Sequence, residues 1–129
     1  MHSGAICGHS IHGDSRGGEA GTALVHGRRI ASWTFRGCPF INLATEFPDR
    51  AHPGAAIVCA NKQTVRQRFR KLSAAMGARN PIRLGDQLAL LMDGAYGQAI
   101  TLGASDLREE LLSAVAQLID GEVRLSADL

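Results

Sequence analysis

From residue 53 onward, apolar residues recur every three or four positions in three successive stretches, as they do in helices with one buried face. The first predicted helix runs from Pro53 to Met76. Val58, Asn61, Val65, Phe69, Leu72 and Met76 share one face, while Gln63, Arg66, Gln67, Arg70 and Lys71 lie opposite. Pro53 suits a first helical position, where its fixed φ helps and its missing N–H costs nothing. Gly77 is placed to end the helix. The second helix is predicted from Pro81 to Leu102, with Asn80 as its cap and Gly103 as its terminator. Leu84, Leu88, Leu91, Ala95, Ala99 and Leu102 form its main stripe; Ala89, Leu90, Met92, Tyr96 and Ile100 lie outside it. A second arc carries Leu90, Gly94, Gly97 and Thr101. A helix so apolar needs neighbours on two sides, and its small residues allow one to come close.

The third helix is predicted from Asp106 to Asp120, capped by Ser105 and stopped by Gly121, with a polar tail over 122–129. Leu107, Leu111, Ala114 and Leu118 form its stripe, which Leu112, Val115 and Ile119 widen. Ahead of these helices, Cys38 to Phe47 reads as a short helical segment between a Cys-Pro step and a Pro-Asp turn. Residues 1 to 34 keep no period: they are dense in glycine and hold four of the five histidines. Each glycine costs a helix about 1 kcal/mol relative to alanine. An irregular leader is expected there, with at most a short strand or helical turn near Leu24 to Phe35. The fold class is therefore all-α, a small helical bundle over residues 35–121.

Composition adds little. With 129 residues the chain is one domain, 45% hydrophobic and 20% charged, and with aromatics at 5% its core must be aliphatic. A formal net charge of +2 does not mark a nucleic-acid binder. Cys7, Cys38 and Cys59 are an odd number at wide spacing, which argues against a disulfide framework and fits a reducing compartment. No run approaches a membrane span and no apolar signal segment opens the chain, so a cytoplasmic location without membrane contact is expected.

The apolar balance points to self-association. The second and third helices offer more greasy surface than so thin a bundle covers, and large exposed apolar patches on single molecules usually mark interfaces. A symmetric homodimer, with these two helices packed on their copies as a four-helix bundle, resolves the excess. The alternative, a leader folded back over that face, would bring few large apolar residues to the task.

The order of three motifs resembles a known family. GCPFINLATEFPD, then HP opening a long helix with a basic outer face, then DQLALLMDGAYGQAITLG are similar to the C-terminal domain of the tetracycline-repressor (TetR) family of transcriptional regulators, over roughly residues 35–121. The resemblance implies an effector-binding and dimerisation domain. It places Cys38, Phe40, Ile41, Asn42, Phe47, Asn61, Val65 and Met92 around a small apolar effector. It places Leu90, Gly94, Gly97, Thr101, Leu112, Val115 and Ile119 at the dimer interface. Members of that family carry an N-terminal helix-turn-helix, whereas residues 1–34 show no pair of periodic helices and no basic recognition helix. DNA contact is thus expected only through a full-length partner or a missing N-terminal domain.

No catalytic residue, cofactor or metal is predicted. Cys7, His9, His12 and Asp14 have zinc-compatible chemistry, but their spacing follows no established pattern. Ser10 lacks a nucleophile-elbow context. Cys38 reads as a structural cysteine before a redox or metal sensor. Asn42, Glu46, Asn61, Gln87, Asp93 and Gln98 sit on or beside apolar faces, each either bonded within the protein or open to a ligand. Lys62, Arg66, Arg70 and Lys71 read as a solvated helix face.

Overall fold

A computed structural model of the protein describes residues 35–103 and 107–127. All regular structure among them is helical: α1 (Pro39–Glu46), α2 (Pro53–Ala75), α3 (Pro81–Thr101) and α4 (Leu107–Ala127). The leader over 1–34, the expected strand or turn near Leu24, and the Ser105 cap lie outside the described residues.

Each of the first three helices begins with proline just after its cap. At α1, Gly37 takes φ +87° and turns the chain, Cys38 stays extended, and Pro39 starts the helix. At α2 the cap is His52, whose imidazole Nδ1 accepts the Gly54 N–H at 3.0 Å. The Phe47 ring stacks on that imidazole, with centroids 4.4 Å apart. At α3, Asn80 Oδ1 accepts the Arg83 N–H at 3.1 Å, as expected of an asparagine cap. Gly77 and Gly103 close α2 and α3 with φ of +76° and +86°. Those left-handed positions are the reason glycine stands there.

α3 is the central element and packs on both α2 and α4, while α1 rests against α2. Lys62 pairs with Asp93 and Arg70 with Asp86, so α2 and α3 run antiparallel. The Arg79 N–H reaches the Glu122 carbonyl oxygen at 3.3 Å, placing the end of α4 beside the start of α3. Leu84, Leu88, Ala89, Ala95 and Tyr96 of α3, together with Cys38, form the buried apolar core, and Phe35 tilts against Tyr96 at a centroid separation of 5.4 Å.

α2 and α3 approach tightly at Gly85. A Cβ there would lie 2.5 Å from the Arg70 backbone nitrogen. Ser73, one turn further along α2, is fully buried and returns its hydroxyl to the Phe69 carbonyl at 2.8 Å. The small residues of this crossing were not singled out by periodicity, because neither is large and apolar.

Three expectations change. The odd number and wide spacing of the cysteines argue against a disulfide, yet Cys59 is disulfide-bonded. Gly121 does not stop α4, which continues to Ala127. Its backbone stays out of the left-handed region, and the next residue anchors the turn: the Glu122 carboxylate, 9% exposed, accepts the Asn80 N–H at 2.9 Å. A tertiary bond therefore holds helix past a glycine whose intrinsic cost is about 1 kcal/mol. The basic residues of α2 are not a purely solvated face either. Lys62, Arg66 and Arg70 turn toward α3 and pair with its two aspartates, whereas Gln67 and Lys71 stay exposed as expected.

Candidate functional site

Two polar clusters line the seam between α2 and α3. Asp86 on α3 meets two arginines from α2, both through paired N–H groups. Arg70 donates Nε at 2.7 Å and Nη2 at 2.8 Å; Arg66 donates at 3.3 Å and 3.0 Å. Such fork-shaped pairs fix orientation as well as charge. Arg70, then Arg66, hold the Asp86 carboxyl well below the usual carboxylate range despite the opposing effect of desolvation. The same hydrogen bond raises the Arg70 guanidinium, again against desolvation.

Two helical turns away, Lys62 Nζ donates to Asp93 Oδ1 at 2.5 Å and to the Cys38 sulfur at 3.7 Å. Cys38 is a free thiol and 8% exposed. This cluster joins three elements: the cap of α1, the middle of α2 and the middle of α3. The i, i+4, i+8 spacing of Lys62, Arg66 and Arg70 against the i, i+7 spacing of Asp86 and Asp93 was visible in the chain. What the sequence lacked was the antiparallel register that sets one against the other.

The expected effector-site residues occupy varied environments. Cys38 is buried; Phe40, Ile41, Asn61, Val65 and Met92 are half-buried. Asn61 and Met92 adjoin Lys62 and Asp93 in the chain. Asn42 is exposed and donates its side-chain N–H to the Arg36 carbonyl at 2.9 Å, which steadies the turn into α1. Phe47, 45% exposed, stacks on His52 beyond the far end of α1 from Cys38. His52, Lys62 and Asp86 were not among the residues expected at a site.

The expected interface residues form a different picture. On α3, Leu90 is 74% exposed, and a Cβ added at Gly94 or Gly97 would touch nothing within 4 Å. Thr101 is exposed and returns its hydroxyl to the Gly97 carbonyl at 3.1 Å. On α4, Leu112 is exposed while Val115 and Ile119 are half-buried. Leu90, Gly94, Gly97 and Thr101 thus make one uncovered line along α3, small in its middle and apolar at its end.

No group of three potential metal ligands occurs among the described residues; the Cys7, His9, His12 and Asp14 run lies outside them. No helix among the described residues is long and apolar enough to cross a membrane. Compared with protein-family models, with curated proteins and with solved structures, the chain matches none of them. The fold and its seam define an all-α bundle organised around one central helix.

Proposed function

We propose that this chain is the small-molecule-sensing and dimerisation module of a TetR-type transcriptional regulator, acting as a homodimer and without catalytic chemistry of its own. The observation that carries the reading is the uncovered line on α3. Leu90 leaves about three-quarters of its surface exposed, and the two glycines beside it stand open. Helix faces of that composition suit close packing against a second helix. A standard interface removes about 800 Å² from each partner, more than one leucine supplies, and Leu112 on the neighbouring α4 extends the apolar surface.

Leu90→Asp tests the dimer. Removing a leucine from an interface costs about 2 kcal/mol in each copy, and about 4 kcal/mol per dimer weakens Kd close to a thousandfold. Light scattering at micromolar concentration should give a dimer for the parent chain and a monomer for the variant. A folded, monomeric parent chain would remove the proposal.

Sensing is tested separately by a thermal-shift screen against small apolar compounds. An effector in hundredfold excess over its Kd stabilises the folded state by about 2.7 kcal/mol. A dimer that no compound stabilises would be a passive helical dimer or would bind only a protein partner. The DNA arm of the proposal runs through a full-length relative: a mixed dimer has one DNA-binding head and should grip a palindromic operator poorly. Titrating this chain into a gel-shift assay of such a relative should therefore reduce operator binding. Unchanged binding would confine the chain to self-association.

A further inference from the structure

The contact between Cys38 and Lys62 supports a chemical reading that does not depend on dimerisation or on an effector. A cysteine thiol and a lysine amine face each other at 3.7 Å across two elements of the fold. Neither is free to drift. Cys38 is buried as the cap of α1, and Lys62 is held from its other side by Asp93 at 2.5 Å. Side-chain exposure of 23% at Lys62 and 34% at Asp93 leaves the amine and the carboxylate partly in contact with solvent.

We propose that Cys38 and Lys62 are an oxidative cross-linking site, in which a peroxide converts the pair to a reversible sulfur–nitrogen bond. The Cys38 sulfur attacks one peroxide oxygen; the O–O bond breaks, the sulfur becomes a sulfenic acid and one water leaves. Lys62 gives one proton to solvent, and its nitrogen lone pair then attacks the sulfur. The S–OH bond breaks and its oxygen leaves as a second water. The sulfur has lost two electrons, which the peroxide accepted. In sum, one thiol, one ammonium and one hydrogen peroxide give one S–N bond, two waters and one proton. Sulfenic acids condense in the same way with a backbone nitrogen, giving a sulfenamide. A positioned amine also acts at an effective concentration that free amines do not reach. Two equivalents of a thiol reductant reverse the step, restoring the thiol and amine and leaving a disulfide of the reductant.

The product bond would tie the start of α1 to α2 and remove the positive charge that Asp93 now faces. Asp93 adjoins Gly94 on the uncovered line of α3, so oxidation at the seam would be felt on that outer face.

The experiment treats the full chain with hydrogen peroxide and maps its peptides by mass spectrometry. The expected result is a linked pair of peptides joining Cys38 to Lys62, about 2 Da lighter than the two free peptides and separated again by dithiothreitol. Lys62→Arg keeps a cation beside Asp93 but removes the amine; it should give no linked pair and instead about 16 or 32 Da of added oxygen on Cys38. Three results would overturn the proposal: oxygen adducts on Cys38 of the parent chain with Lys62 unlinked, a linked pair about 14 Da heavier that retains an oxygen, or no change at Cys38.

Discussion

Replacing Gly85 with alanine puts a methyl group into a tight approach of α2 to α3. The new carbon would lie 2.5 Å from the Arg70 nitrogen, 2.6 Å from its Cα and 2.7 Å from its Cγ. Ordinary carbon contacts begin near 3.5 Å, so the helices must part by about 1 Å at this point. No rotamer change relieves two contacts with backbone atoms. Overpacking of this kind costs about 1–3 kcal/mol, and more where neighbours are rigid. Here the neighbour is Arg70, whose guanidinium is held by Asp86, and Leu84 and Ser73 on the two helices are fully buried. Against that stands a gain of about 1 kcal/mol in helix propensity. The expected net loss is about 2 kcal/mol, which lowers Tm by roughly 10 °C in a folded unit of this size. Gly121→Ala is the matched control. It too lies inside a helix, but a Cβ there meets nothing within 4 Å, so it should stabilise by up to about 1 kcal/mol. Thermal and denaturant unfolding followed by far-UV circular dichroism, at one fixed protein concentration, measures both. If Gly85→Ala stabilises as Gly121→Ala does, the close approach is not real and the description of the α2–α3 crossing falls.

The remaining predictions concern the polar anchors. Asp86 has its carboxyl lowered by Arg70 and Arg66, so it binds fewer protons folded than unfolded across the acid range. Its stabilising effect is present above the ordinary carboxylate pKa of about 3.9 and is lost as pH falls below it. Asp86→Asn should therefore be less stable than the parent near neutral pH and show a shallower acid-side fall, read as Tm against pH; parallel curves would count against the pair. Glu122→Ala leaves the Asn80 N–H without its carboxylate partner and should cost about 1–3 kcal/mol. In hydrogen exchange the last turns of α4 should open first in that variant, and unchanged protection beyond Gly121 would show that the anchor is not what holds them helical.

Local rules settled most of the helix boundaries. Pro53 and Pro81 begin α2 and α3, Asn80 caps α3, and Gly77 and Gly103 end their helices because a left-handed turn excludes most side chains. The all-α class and the apolar excess of α3 were legible for the same reason: period and propensity act within a few residues. Three-dimensional proximity decided the rest. Arg66 and Arg70 look like solvated charges until an antiparallel neighbour presents Asp86, and Gly121 looks like a stop until Glu122 is pinned by the Asn80 N–H from across the bundle. Gly85 has no periodic role at all; it matters because the Arg70 backbone passes over it. Cys38 and Lys62 are 24 positions apart in the chain, and only the docking of α1 on α2 brings their sulfur and nitrogen together. Charge pairing and close packing join residues that no short window contains, so their partners emerge only once the helices have been set side by side.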